Sequence, residues 1–271
     1  MLVWRGAIGC MMAAGPAAIH LPKGNPVSTV PADVVKDFAP TGTLRVAINL
    51  GNSVLAQTHA TTGEPRGITV DLARELGRRL GLTPKLVTFD AAGKVFEALK
   101  TGAWDVAFLA IEPARAAEIA FTAPYVIIEG NYMVPRDSPL RTVDEVDRNG
   151  VRIAVAKGSA YDLYLTRTLK HAQLVRSPTG NEAMAMFLAD KLEAAAGVRQ
   201  PIVEFASRHP NVRVIEGRFM AIEQAMGMPK GRDTAVRYLR DFVEEMKALG
   251  FVADALKRNN KPNDALVAPP A

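Results

Sequence analysis

Pro124-Tyr125-Val126-Ile127-Ile128-Glu129-Gly130-Asn131-Tyr132-Met133-Val134 is too long and too rich in β-branched and aromatic residues for a surface loop. It reads as a strand that carries the chain from one lobe to another, because the sequence on each side forms its own run of strands and helices. Upstream, Leu44-Arg45-Val46-Ala47-Ile48-Asn49 alternates as a strand, and Gly51-Asn52-Ser53 follows as a turn where a ligand can meet backbone. Residues 67–81 read as a helix, with Val70, Ala73, Leu76 and Leu80 at helical spacing and Arg74, Glu75, Arg78 and Arg79 on the other side. A strand at 84–89, a helix at 94–100, a strand at 104–109 and a short helix opened by Pro113 complete this run.

Downstream come a strand at 152–156, a helix at 160–169, a strand at 173–176, a helix at 181–191 and a strand at 192–198. Residues 212–220 read as a return crossing. Residues 234–249 form an amphipathic helix with Val236, Leu239, Phe242, Val243, Met246 and Leu249 on its apolar face. Strands alternating with helices imply an α/β fold of mostly parallel sheets covered by helices, and two crossings imply a hinge between two lobes. The expected boundaries are 1–40 for a leader and extended arm, 41–128 plus 221–262 for the first lobe, 129–220 for the second, and 263–271 for a tail. Strand ends of facing lobes would then meet across one cleft.

At 271 residues with 48% hydrophobic and 23% charged content, the chain can bury a substantial core. Its net charge of +5 comes from Lys and Arg interleaved with Asp and Glu, with no basic run carrying aromatic residues to stack bases, which argues against nucleic acid. The single cysteine, Cys10, leaves the rest of the chain without a disulfide, thiolate metal site or cysteine nucleophile. Neither metal-ligand clusters nor a phosphate-cradling glycine loop is present, so no metal and no cofactor is expected.

Residues 1–18 combine Arg5, an apolar stretch and small residues at its end, a degenerate signal peptide that implies export to the periplasm. Ala7-Ile8-Gly9-Cys10 is a poor lipoprotein box, too near the start. No later apolar run reaches the ~20 residues that span a bilayer.

Three patterns together resemble the family 3 periplasmic solute-binding proteins, the amino-acid-type receptors of ABC importers, over roughly residues 40–260. They are Gly67-Ile68-Thr69-Val70-Asp71-Leu72-Ala73 closed by Leu80-Gly81; Asp105 through Arg115 continued by Ile119-Ala120-Phe121-Thr122-Ala123-Pro124-Tyr125; and Ile153-Ala154-Val155-Ala156-Lys157-Gly158-Ser159-Ala160-Tyr161. The resemblance implies a two-lobed type II periplasmic binding protein fold with two hinge crossings. It further implies a monomer without enzymatic activity that delivers a carboxylate-bearing solute, an amino acid or an organic acid, to an ABC permease. By the same resemblance Arg115 grips the ligand carboxylate, since a guanidinium presents paired donors to two oxygens. The alternative for Arg115 is an ion pair with Glu112 or Glu118 at helical spacing.

Ser159 and the N–H groups of Ala160 and Tyr161 open a helix toward the ligand, where free donors and the dipole favour an anion, or Ser159 forms a capping box with Asp162. Asn49, Asn52 and Ala110 complete the expected contacts. The sequence departs from the family pattern in three places. Phe108-Leu109-Ala110-Ile111-Glu112 lacks the hydroxyls usual before the arginine. Asn52 and Ala91-Ala92-Gly93 stand where aromatic residues are common. The stretch around Gly197 and Val198 lacks the carboxylate that would pair with an α-ammonium. Arg199 follows instead, and two arginines facing across the cleft would select a dianion or an amine-free acid; a surface position at the start of the next helix is the competing reading.

Two readings from other classes remain. Cyclohexadienyl dehydratases share this fold and need a general acid, for which Glu112, Glu129 and Glu193 are candidates, while His20, His59, His171 and His209 are scattered. A sensor's binding module is the other.

Overall fold

The structure, a computed structural model, describes residues 30–271. The leader, Cys10, His20 and the first part of the expected arm lie outside the described residues. The end of that arm is not extended. Ala32–Phe38 is a helix (α1), because Val34 and Phe38 recur on one side and are buried, with the Phe38 ring edge-on to Tyr238 at 5.8 Å.

The first lobe starts with β1 (Arg45–Asn49), a small hairpin of β2 (Gln57–Thr58) and β3 (Pro65–Arg66), then α2 (Ile68–Leu80), β4 (Lys85–Phe89), α3 (Ala92–Glu97), β5 (Val106–Ala110) and α4 (Pro113–Ala116). The face expected of α2 is buried at Val70, Ala73, Leu76 and Leu80. The chain then enters β6 (Ile119–Pro135), whose 17 residues extend for ~56 Å at strand rise.

The second lobe holds β7 (Arg152–Ala156), α5 (Ala160–Thr168), β8 (Gln173–Ser177), α6 (Gly180–Ala189), β9 (Ala194–Val198), α7 (Arg199–Arg208) and β10 (Val212–Val214). The strand β11 (Met220–Pro229) returns the chain, and α8 (Asp233–Ala248), α9 (Phe251–Arg258) and β12 (Leu266–Val267) finish it. Val236, Leu239, Phe242, Val243 and Met246 are buried along α8, each stabilising by about 1.5–3 kcal/mol relative to exposure. Leu249 does not join them. It lies just past the helix end and is 66% exposed.

One sheet runs β4-β1-β5-β11-β6-β9-β7-β8. β1 is parallel to β4 and β5, and β7 is parallel to β8 and β9, so each lobe contributes a parallel block. The two blocks are joined by the antiparallel pair β6 and β11. β6 changes partner at Gly130: from Ile119 to Gly130 it pairs with β11, and from Gly130 to Met133 with β9.

The return crossing therefore lies later than residues 212–220. β10 pairs only with Met133–Pro135 of β6 inside the second lobe, and β11 makes the crossing. Its sequence hides it, since Ile222 is the only β-branched residue among Met220–Pro229 and pairing on both edges overrides that weak propensity. Residues 263–271 are not a loose tail either. β12 pairs with Val126 and Ile127 of β6, Ala268 N–H donates to Tyr125 O at 3.1 Å, and Lys247 Nζ donates to Pro269 O at 2.8 Å.

Candidate ligand-binding cleft

A cavity of about 660 Å³ lies between the lobes. Asn49, Ala110, Ala156 and Val198 are the last residues of β1, β5, β7 and β9, and all four line it. Carboxyl ends of parallel strands from both blocks thus converge, as open α/β sheets dictate.

The lobes touch around this cavity. An added Cβ on Gly93 would lie 2.6 Å from Lys157 O and 3.3 Å from Gly158 Cα, a backbone approach that only glycine permits. Glu112, buried at the mouth of α4, accepts a hydrogen bond from Arg167 Nη1 of α5 at 2.5 Å.

Arg115 is fully buried and lines the cavity. Its Nη1 donates to Ala110 O at 3.0 Å and its Nη2 to Gly158 O at 2.8 Å, while Nε has no partner among the described residues. Neither Glu112 nor Glu118 forms an ion pair with it; Glu112 is bound to Arg167 instead. Burial lowers the guanidinium to about 10, opposed by the negative charge of Glu112. At neutral pH Arg115 is still a cation, buried without a carboxylate partner among the described residues, and such a charge is costly unless an anion joins it.

Other buried carboxylates are paired with arginines of their own and do not relieve it. Asp162 accepts from Arg176 Nε at 2.8 Å, and Asp105 from Arg45 Nε at 2.8 Å and Arg232 Nη1 at 2.9 Å.

On the opposite wall, Ser159 caps α5 by accepting from Asp162 N–H at 3.1 Å. Asp162 reaches back one residue further than a capping box requires, accepting from Gly158 N–H at 2.8 Å. The N–H groups of Ala160 and Tyr161 belong to the helix's first turn, where no intrahelical carbonyl is available, and both residues line the cavity. The capping reading and the cavity-facing reading of Ser159 therefore coexist.

Of the residues anticipated from the sequence, Arg115, Ser159, Ala160, Asn49, Asn52 and Ala110 all line the cavity, and Arg199 does not. As the first residue of α7, Arg199 is half-buried and stands outside it, while Val198, Pro201 and Ile202 form the wall. An arginine pair of Arg115 with Arg199 across the cleft is thereby overturned: the turn after β9 aims its neighbours inward instead. The cationic residue that α7 presents is Arg208, exposed and 3.6 Å from Glu204.

Sequence reasoning missed Gln224 and the apolar wall of Phe108, Met184, Ile202, Phe205 and Ile222, and anticipated Tyr161 only for its N–H. Gln224 was discoverable as a polar residue inside an apolar stretch, but only once β11 is seen as a strand.

The candidate acids of the enzyme reading lie elsewhere. Glu112, Glu129 and Glu193 are each tied to an arginine, to Arg167, to Arg218 at 3.1 Å and to Arg152 at 2.9 Å, and none lines the cavity. The hydrogen bond from Arg152 holds the Glu193 carboxyl below its ordinary range, the wrong direction for a general acid. His59, His171 and His209 are likewise absent from the lining.

The chain is similar to the amino-acid-binding protein AabA of Dichelobacter nodosus, 24% identical over 212 residues, which covers 74% of this chain and 81% of AabA. A cysteine-binding protein of Campylobacter jejuni superposes with a TM-score of 0.73 at 18% identity, over 87% of this chain and 99% of that one. The ancestral amino-acid-binding protein AncCDT-1, described as a precursor of cyclohexadienyl dehydratase, gives a TM-score of 0.68 at 20% identity, over 83% and 98%. Both structures share the two-lobed fold found here. Residues 44–260 match the bacterial extracellular solute-binding proteins, family 3, and span both parallel blocks, both crossing strands and the cavity between them; the chain belongs to that family of binding proteins.

Proposed function

We propose that this chain is a periplasmic receptor that closes its lobes around a small carboxylate-bearing solute and presents it to the membrane permease of an ABC importer. The observation that carries this reading is Arg115, a fully buried cation with no carboxylate partner among the described residues, held between Ala110 O and Gly158 O where the lobes meet. Family membership supports a binding role, and the relative AabA is itself named an amino-acid-binding protein. The exchange of partners along β6 at Gly130 supports lobes of 41–128 plus 221–262 and of 129–220 that move about this point. Among the described residues no helix is long and apolar enough to cross a membrane, which suits a receptor that relies on a separate permease.

Thermal unfolding across a panel of amino acids, 2-oxo acids and dicarboxylates tests the reading. A ligand at ~100 times its dissociation constant adds ~2.7 kcal/mol and raises the melting temperature by several degrees. Arg115→Met is expected to abolish that response without destabilising the free protein, since replacing an unpaired buried charge by an apolar side chain of similar volume is neutral or stabilising. A response that survives Arg115→Met, or that appears equally with carboxamides, would overturn the carboxylate reading.

A further inference from the structure

Among the described residues, the buried side chains that bring polar groups to the cavity lining are Asn52, Arg115, Ser159, Gln224 and, through its hydroxyl, Tyr161. Arg115 can only donate, and Asn52 and Ser159 each already use one lone pair of the side-chain oxygen within the protein. Asn52 Oδ1 accepts from Val54 N–H at 3.3 Å and Ser159 Oγ from Asp162 N–H at 3.1 Å. Half-buried Asn49 repeats the pattern, its Oδ1 accepting from Gly51 N–H at 3.0 Å. A backbone N–H can be given only to the amide oxygen, so these contacts fix Nδ2 of both asparagines as the free end. The first-turn N–H groups of Ala160 and Tyr161 add two more donors. Gln224 and the Tyr161 hydroxyl differ in being able to accept as well as donate.

The lining carboxylates do not reach this interior. Asp90, Glu182 and Glu204 are exposed, and each has a local contact: Asp90 with Lys94 at 2.8 Å, Glu182 with Thr179 N–H at 3.2 Å, and Glu204 with Arg208. Around Gly197 the wall is apolar, with Ile202 Cγ2 and Met184 Cε 2.9 and 3.8 Å from where a Cβ would stand.

Resting on the reading of the cleft as a carboxylate receptor, we infer that its ligand is an amine-free carboxylate with a neutral apolar body, a 2-oxo acid being the chemistry that fits. Its carboxylate and adjacent carbonyl are acceptors for Arg115, the two asparagine Nδ2 groups and the helix N–H groups. Its apolar body lies against Met184, Ile202, Phe108 and Ile222. An α-ammonium in the same place would give up water and meet no buried carboxylate among the described lining residues, only neutral acceptors such as Gln224 Oε1 and the Tyr161 hydroxyl.

Calorimetric titration of the full chain with matched pairs decides between the two, using leucine and phenylalanine against their 2-oxo analogues. The 2-oxo acids are expected to bind at least about tenfold tighter than the amino acids, as expected when a site meets a buried polar group it cannot pair. Equal or tighter binding of the amino acids overturns the inference and leaves the carboxylate reading standing, and so does binding confined to dicarboxylates. If no carboxylate binds, both fall.

A second variant tests the cause. Val198 lines the cavity and is the N-cap of α7 without a side-chain hydrogen bond, a position aspartate favours, so Val198→Asp supplies the missing carboxylate, the capping bond offsetting part of the apolar packing lost. That variant is expected to shift the affinity ratio toward the amino acid. An unchanged ratio would overturn the apolar wall as the origin of the preference.

Discussion

Arg115 Nη2 and Gly158 O are 2.8 Å apart, so the buried cation of one lobe is bonded to the backbone of the other beside the glycine contact of Gly93 with Gly158. Closure and anion binding thus share a residue. The added Cβ of a Gly93→Ala variant would meet Lys157 O and Gly158 Cα, which separate from it when the lobes open. Free protein should keep its melting temperature while ligand affinity falls by about tenfold or more, because the variant penalises only the closed form. Small-angle scattering should show the variant remaining more open than the parent with ligand present. Unchanged affinity would mean that these glycines do not meet in the bound state.

The ion pair of Glu112 with Arg167 also crosses the lobes, joining the N-cap of α4 to α5. Glu112 is 2% exposed, so Arg167→Ala leaves a buried carboxylate without its partner whenever the lobes close. The Arg167 side chain is 43% exposed, which moderates the effect to ~1 kcal/mol, roughly fivefold in ligand affinity. In a double-mutant cycle with Glu112→Gln, the pair should cost less than the sum of the single changes. Strict additivity would remove the pair from the closing mechanism.

Most of this architecture is legible in the sequence wherever apolar periodicity is strong. The face of α2, the boundaries of β7 and the crossing at β6 follow from spacing and β-branched content alone. β11 escapes because Gln224-Ala225-Met226-Gly227-Met228 carries no strand signal of its own and is held by partners distant in sequence. The same distance explains the site. Arg115 and Ser159 sit beside local motifs, whereas Gln224, Ile202 and the exclusion of Arg199 depend on how a strand register or a turn aims its neighbours.

Asp105 is buried and accepts hydrogen bonds from Arg45 N–H at 3.1 Å, Arg45 Nε at 2.8 Å and Arg232 Nη1 at 2.9 Å. Burial pushes its carboxyl up, but the bonds from Arg45 and Arg232 outweigh this and hold it below its ordinary value. A folded value below the unfolded ~3.9 contributes stability that is complete above that pH and disappears as pH falls through the folded value. Asp105→Asn should cost ~3 kcal/mol at neutral pH, measured by urea unfolding, at the low end for a broken buried pair because both arginines reach solvent. The gap between parent and variant should narrow in acid below about pH 4. A gap that stays constant down to pH 2 would show that the charge of Asp105 is not what matters.

Tyr125 on β6 is fully buried, with its ring edge-on to Phe108 at 5.8 Å and 87°. Its main chain is used, since Tyr125 O accepts from Ala268 N–H, but its hydroxyl has no partner among the described residues. Burial raises the phenol well above its ordinary value, so it stays neutral at any working pH and acts only as a dipole removed from water. Tyr125→Phe keeps the ring and its contact with Phe108 and removes only the unpaired group, whose burial costs about 1–3 kcal/mol. Stability of the variant should therefore be equal or higher by ~1 kcal/mol in urea unfolding, with ligand affinity unchanged because Tyr125 does not line the cavity. A loss of 1 kcal/mol or more would instead require a buried water bonded to the hydroxyl, since no other source of stabilisation is lost with that single oxygen.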